Sequence, residues 1–226
     1  MEQKHAKFER LLARCRELAP APTAVAHPCD ESSLRGAVKA AEKGIIQPIL
    51  VGPRSKIESV AREFGLDIAP YEIVDADHSH SAVERAVQLV HEGRAELLMK
   101  GSLHTDELMA AIVRSGTGLR TNRRISHCFI MDVPNLDRAI FVTDAAINIF
   151  PTMEDKMHII QNAIDLAHSL GMEKPKVAIL SAMETINPKL QSTIEAGALC
   201  KMADRGQITG GVLDGPLALD NAIDLD

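Results

Sequence analysis

Between residues 23 and 114 short apolar runs alternate with stretches of helical periodicity, and this alternation limits the fold more than any other feature of the chain. The runs 23–28, 45–52, 71–74 and 95–100 have the length and apolar character of buried strands. Helices are predicted between and after them. One is capped by Asp30 and carries Leu34, Ala37, Val38 and Ala41 on one face, with Gly44 closing it. Others cover 55–64, 80–92 and 105–114, and a further helix is expected over 6–18, ended by Pro20 and Pro22. Strands that alternate with helices of this length build βαβ units and a parallel sheet, because a parallel strand needs a crossover to return. The fold class is therefore α/β.

The pattern changes at 115–124, a polar, glycine-containing and locally basic stretch. Two strands, 125–133 and 138–143, then follow with only Pro134, Asn135, Leu136 and Asp137 between them, which predicts an antiparallel pair. Alternation resumes with helix 153–170, strand 176–181, helix 188–204, strand 209–213 and a helix over 217–225. A boundary near residue 124 divides the chain into two α/β domains, 1–124 and 125–226.

With 226 residues, either domain can bury a core without a metal or disulfide staple. Net charge is −6, Trp is absent and Tyr71 is the only tyrosine, so the chain suits neither phosphate-backbone binding nor base stacking; no nucleic-acid partner is expected. Cys15, Cys29, Cys128 and Cys200 form no CxxC pair, which argues for free thiols in a reducing compartment and against structural zinc. The start, 1–5, leads into a charged amphipathic stretch with no apolar signal-peptide region, and no apolar run approaches the ~18 residues of a membrane span. The expected location is the cytoplasm, with no membrane partner.

Four segments stand where an α/β sheet places chemistry, at the carboxyl ends of strands. In 99–105, Lys100 and Gly101 end a strand and a helix begins at Thr105. Glycine permits close backbone approach, and the helix N-terminus offers free N–H groups to an anion. The plain alternative is a βα turn with a solvated lysine. The segment 118–127 places Arg120, Arg123 and Arg124 in a loop, with Ser126 and His127 opening the next strand; guanidinium forks suit phosphate or carboxylate. The alternative is a solvated loop and a core histidine. In 143–152, Asp144 ends a strand and Asn148 follows it; the alternative is an Asp144 that satisfies nearby backbone N–H groups. In 210–222, Asp214-Gly215-Pro216 is a turn signal after a strand, and Asp214 and Asp220 flank the turn. The cluster Asp75, Asp77, His78 and His80 reads as a polar αβ loop rather than a metal site. Walker A, Gly-x-Gly-x-x-Gly and Gly-x-Ser-x-Gly patterns are absent.

Taken together, in order and spacing, these segments resemble the phosphate acetyl/butyryltransferase family: Met-Lys-Gly…His-Thr at 99–105, Gly-Leu-Arg-Thr…Ile-Ser-His at 118–127, Thr-Asp-Ala-Ala-Ile-Asn…Pro-Thr at 143–152, and Leu-Asp-Gly-Pro-Leu-Ala-Leu-Asp-Asn-Ala at 213–222. The Gly-Leu-Arg-Thr and Asp-Gly-Pro forms are closer to the butyryltransferase branch, or to modules described as enoyl-CoA hydratase/phosphate acetyltransferase. The resemblance implies reversible transfer of an acetyl, butyryl or similar acyl group between CoA and inorganic phosphate. It implies two α/β domains of the isocitrate/isopropylmalate-dehydrogenase type with a cleft between them. It further implies a homodimer and no metal or redox cofactor, CoA being a substrate. Family members continue beyond the Asp-Gly-Pro segment to a Ser-Arg…Asp motif that has no counterpart here, so the second domain is expected to be C-terminally incomplete. The acetyltransferase branch often has cysteine where this chain has Ala145.

On this basis Lys100, Gly101, Thr105 and Arg120 are expected to hold phosphate or acyl phosphate. Ser126, Asp144 and Asn148 are expected to line the reacting centre, and Asp214 and Asp220 to shape the cleft or touch CoA. The alternatives are a non-catalytic or truncated CoA-binding module, or another enzyme of the same fold.

Overall fold

The computed structural model describes residues 6–134 and 136–223. The expectations for 1–5, and for 224–225 at the end of the last helix, lie outside the described residues. The chain divides into two compact units, Met1–Thr121 and Asn122–Asp226.

The first unit begins with α1 (Ala6–Cys15) and continues as β1 (Ala21–Ala26), α2 (Glu31–Glu42), β2 (Ile46–Gly52), α3 (Arg54–Glu63), β3 (Glu72–Asp75), α4 (Ser79–His91), β4 (Leu97–Lys100) and α5 (Thr105–Ile112). The four strands are parallel in the order β3-β2-β1-β4. Side-chain alternation along the central strands divides the core. Ala24, Ala26, Ile49 and Val51 pack with α4 and α5 through Ala82, Val83, Ala86, Val87 and Leu108. Val25 and Leu50 face the other way, onto Leu34 and Ala37 of α2 and Ile57 and Ala61 of α3. Both sheet faces are thus covered, which explains why these strands are continuous apolar runs. Each fully buried Leu or Ile contributes about 1.5–3 kcal/mol relative to exposure.

Local chemistry sets the helix boundaries. The Asp30 carboxylate caps α2 by accepting the Ser33 N–H at 2.8 Å. His78 caps α4: its Nδ1 accepts from the Ser81 N–H, and the Ser81 hydroxyl oxygen accepts from the His78 N–H, both at 3.1 Å. The polar stretch 76–80 is thereby accounted for as the approach to a helix start, while Asp75 ends β3 and accepts the Arg54 N–H at 2.8 Å. Strand β1 stops at Ala26, short of the expected Pro28, because His27 takes a left-handed conformation with φ 55°.

The second unit contains β5 (Phe129–Met131), β6 (Ile140–Val142), α6 (Met153–Ser169), β7 (Lys176–Leu180), α7 (Gln191–Asp204), β8 (Val212–Leu217) and α8 (Leu219–Ile223). Strands β5 and β6 are antiparallel, as expected, but much shorter than 125–133 and 138–143. Residues 125–128 lie outside the ladder, and the backbone groups of Ile125 and His127 bond to the side chains of Thr143, Asp144 and Asn148 instead. Strands β7 and β8 are parallel, and Ile160, Ile164, Leu199 and Ile208 form the buried cluster of this unit. Helix α7 starts at Gln191 rather than 188, since Asn187 first makes its own turn: its side chain accepts the Lys189 N–H and its carbonyl the Leu190 N–H.

The expected turn at Asp214-Gly215-Pro216 is corrected by the structure: these residues lie within β8. A Cβ on Gly215 would stand 2.8 Å from both Cβ and O of Ile179, so glycine lets the two strands approach closely where their register shifts. Proline is accommodated because β8 pairs on one side only among the described residues. No helix among the described residues is long and apolar enough to cross a membrane.

Candidate functional site

In the first unit the chain steps from β1 to β2 to β3, then returns through α4 to place β4 on the other side of β1. The strand order therefore reverses between β1 and β4, the point at which open α/β sheets hold ligands. The carboxyl ends there carry His27 after β1, and Lys100, Gly101 and Ser102 at the end of β4. The two ends are laced together. Gly101 N–H donates to the Ala26 carbonyl at 2.9 Å, Ser102 N–H to the His27 carbonyl at 2.8 Å, and His27 Nδ1 lies 2.9 Å from the Ser102 carbonyl.

A Cβ at Gly101 would meet the Ala26 and His27 carbonyl oxygens at 2.4 and 2.5 Å. Its missing side chain is used by the neighbouring strand, which sequence spacing does not reveal. Lys100 Nζ donates to the Leu103 carbonyl at 2.7 Å, which holds its charge over the turn leading to α5. Thr105 is the first residue of α5, whose N-cap His104 makes no side-chain capping bond. Asp30 adds a carboxylate held below its ordinary range, chiefly by the Ser33 hydroxyl and N–H, with smaller contributions from Ser102 and the Lys100 charge. Arg120 is exposed and makes no hydrogen bond or ion pair among the described residues.

In the second unit Asp144 and Asn148 are joined through one carboxylate, and Ser126 precedes His127, whose N–H that carboxylate accepts. Asp144 Oδ1 accepts the Ala146 and Ile147 N–H groups, both at 2.9 Å. Its Oδ2 accepts the His127 N–H at 3.1 Å and Asn148 Nδ2 at 2.6 Å. Burial alone would raise this carboxyl, but the four donors outweigh it and leave the pKa at about 2. Asp144 is consequently a fixed anion at neutral pH and a poor proton acceptor. Asn148 also donates to the Ile125 carbonyl at 3.0 Å and accepts from Arg124 Nε at 2.8 Å.

Two of the three loop arginines are committed to this scaffold. Arg124 reaches Asn148 and, at 3.3 Å, Asp155, while Arg123 Nη1 donates to Asp165 at 2.9 Å and Asn162 at 3.2 Å. Asn162 in turn donates to the Arg124 carbonyl at 2.8 Å and to Ser126 Oγ at 2.9 Å. Asn162 was not legible as a site residue from strand-end logic. The available signal was a polar stripe on α6: Asp155, His158, Asn162 and Asp165 recur at helical spacing along a helix that is otherwise apolar on its buried face.

The remaining expected residues do not join this cluster. Asp214 is exposed in β8 and accepts the Gly215 N–H at 2.9 Å, and Asp220 is exposed on α8. His127 packs edge-on against Phe129 at 4.2 Å, with its Nδ1 buried and unpartnered among the described residues. Burial pushes the thiols of Cys29, Cys128 and Cys200 above their ordinary range, which disfavours a thiolate nucleophile at any of them. Among the described residues no group of acids, histidines and cysteines is placed to hold a metal ion. A cavity of about 350 Å³ lined by Pro22, Gln47, Pro48, Tyr71 and Arg94 lies at the opposite, amino ends of the strands. Its Arg94 is already paired with Glu72 and Glu92.

Comparison with known proteins places these features in context. Residues 80–226 match the family model described as phosphate acetyl/butaryl transferase. A phosphate acetyltransferase of Rhizobium meliloti is 64% identical over 218 residues, which cover 96% of this chain and 69% of that protein. A phosphate acetyltransferase of Rickettsia prowazekii is 53% identical, with 96% and 62% covered. A phosphate butyryltransferase of Clostridium beijerinckii is 43% identical, with 96% and 72% covered. The chain thus spans roughly two thirds of the length of these relatives. Among solved structures, a branched-chain phosphotransacylase from Enterococcus faecalis superposes with a TM-score of 0.72 at 29% identity, covering 88% of this chain and 69% of that one. A phosphotransacetylase from Streptococcus pyogenes gives 0.77 at 19% identity, covering 96% and 75%, and supports the fold alone.

Proposed function

The chain belongs to the phosphate acetyl/butyryl transferase family, and from that premise we propose that it moves a short acyl group between CoA and inorganic phosphate. What carries the reading is 64% identity to a phosphate acetyltransferase across 96% of this chain. In the forward direction a phosphate oxygen attacks the thioester carbonyl, the C–O bond forms, the C–S bond breaks, and CoA leaves as a thiolate that takes a proton from solvent. The reverse reaction attacks acyl phosphate with the thiolate.

Positioning and charge stabilisation supply most of such a rate enhancement. Lys100, with the N–H groups of the Gly101 turn and of the α5 start at Thr105, supplies positive potential for phosphate. Arg120, uncommitted to the scaffold, supplies a bidentate fork. Ser126 and Asn148 line the reacting centre, and Asp144 fixes the backbone that presents them. Asp214 and Asp220 contact CoA or shape its approach. The two units act as domains of the isocitrate/isopropylmalate-dehydrogenase type. Neither metal nor redox cofactor enters the reaction, and the protein works in the cytoplasm.

The same reading includes a homodimer. Phe129 and Met131 of β5 and Val142 of β6 are exposed on one face of the hairpin, an apolar surface of the kind an oligomer covers. Sedimentation is expected to give twice the chain mass, and Met131→Lys to shift the protein toward one; a monomer at micromolar concentration contradicts the dimer.

The test of the phosphate assignment is Arg120→Ala. Loss of a guanidinium–phosphate pair is worth about 1.5–3 kcal/mol, so the phosphate KM is expected to rise roughly 10- to 100-fold with the acyl-CoA KM nearly unchanged. An unchanged phosphate KM removes Arg120 from this role.

A further inference from the structure

We infer that Asn162 is a positioning residue that fixes the Ser126 hydroxyl as a hydrogen-bond donor to the acyl oxygen, so that Ser126 stabilises the developing charge and does not act as a nucleophile. This inference rests on the transferase reading above, and its geometry lies entirely within the second unit.

The amide orientation of Asn162 follows from its partners. Its Oδ1 faces Arg123 Nη1, which only donates, and its Nδ2 faces the Arg124 carbonyl, which only accepts. The remaining Nδ2 hydrogen must therefore point at Ser126 Oγ, 2.9 Å away. Ser126 accepts that bond, and among the described residues no acceptor takes its own proton. A nucleophilic serine needs a base within reach of that proton. Ser126 has the reverse arrangement: a donor on its lone pair and an O–H left to give away.

An oxygen that accepts one hydrogen bond donates the next more strongly, because the two polarise each other. The site presents such a donor next to the Asp144-anchored segment, at the head of a loop whose Arg123 and Arg124 side chains are tied to α6 and Asn148. When the carbonyl carbon becomes tetrahedral, its oxygen gains negative charge, and a fixed O–H is aimed where that charge develops. No bond to Ser126 forms or breaks; the thioester C–S bond and the phosphate C–O bond are the only covalent changes.

Asn162→Asp keeps the shape but replaces the donating amide by a carboxylate, which draws the Ser126 proton to itself. The variant is expected to behave as Ser126→Ala does. Each lowers kcat about 100-fold with KM changed less than about threefold, and the double variant is no worse than either single one. Asn162→Ala, which removes the donor without adding charge, serves if the aspartate variant does not fold. Losses that multiply in the double variant, or full activity in Ser126→Ala, overturn the inference.

Acetyl phosphate binding by calorimetry separates this from the wider reading. If the unsubstituted chain binds acetyl phosphate but releases no CoA, the transferase reading fails; non-additive changes in unfolding free energy for the two variants then still uphold the Ser126–Asn162 pairing, and additive changes overturn it. No binding by the unsubstituted chain overturns both.

Discussion

Asp144→Asn is expected to lower phosphate-dependent CoA release by about 100-fold or more and to cost about 2–4 kcal/mol of stability in the second unit. Each Asp144 oxygen accepts two N–H donors, two from Ala146 and Ile147 and two from His127 and Asn148. An asparagine offers one acceptor oxygen. Whichever way its amide points, its NH₂ meets two other donors, and each donor left unpaired costs about 1–3 kcal/mol when buried, less where water reaches it. The 144–148 segment then loses the geometry that presents Asn148 and, through the His127 backbone, Ser126. Denaturant unfolding and steady-state kinetics check the two parts separately.

The same carboxylate gives a pH signature. Its folded pKa is about 2 against an ordinary 3.8, so the unfolded chain binds the proton more readily than the folded one. The stabilisation is present in full above about pH 4 and is lost as pH falls toward 2. After allowance for solvent screening it amounts to about 1–2 kcal/mol. The unsubstituted protein is expected to lose that increment between about pH 4 and 2, and Asp144→Asn to lack this part of the acid dependence. Parallel acid-unfolding curves for the two proteins contradict the assignment.

Gly101→Ala is expected to destabilise the first unit by about 3 kcal/mol or more, beyond the usual range for one added methyl group. The new Cβ meets the carbonyl oxygens of Ala26 and His27 at 2.4 and 2.5 Å, and these are backbone atoms of a central strand and its exit rather than the end of a flexible side chain. Relief requires β1 and β4 to part where Gly101 and Ser102 N–H groups bond across. Phosphate affinity is expected to fall with stability, since Lys100 and the Thr105 helix start hang on the same crossing. Thermal unfolding measures the first effect and phosphate KM the second. A variant with an unchanged melting temperature contradicts the close approach.

The α/β alternation was legible because buried parallel strands leave continuous apolar runs and their helices leave a 3.6-residue period, both read from neighbouring residues. What sequence missed depends on partners distant in the chain. Strand β1 ends early through a left-handed His27, a conformation nothing in its residue type announces. Asp214-Gly215-Pro216 has turn composition but lies in a strand, since Gly215 there accommodates Ile179 rather than a reversal of direction. Within the candidate site, Asp144 and Asn148 stood out at a strand end, whereas Asn162 is 36 residues from the serine it contacts. The loop arginines looked alike in sequence. Only the structure separates Arg123 and Arg124, held by Asp165, Asp155 and Asn148, from the uncommitted Arg120.

The most direct test of the central claim is the stoichiometry of acyl transfer by this 226-residue chain. Purified protein is incubated with acetyl-CoA or butyryl-CoA, with and without inorganic phosphate. Free thiol is followed with a chromogenic disulfide, and acyl phosphate is trapped as its hydroxamate. The account predicts that thiol release requires phosphate and that one acyl phosphate appears for each CoA released. Thiol release that is equal without phosphate, or that yields no acyl phosphate, contradicts it.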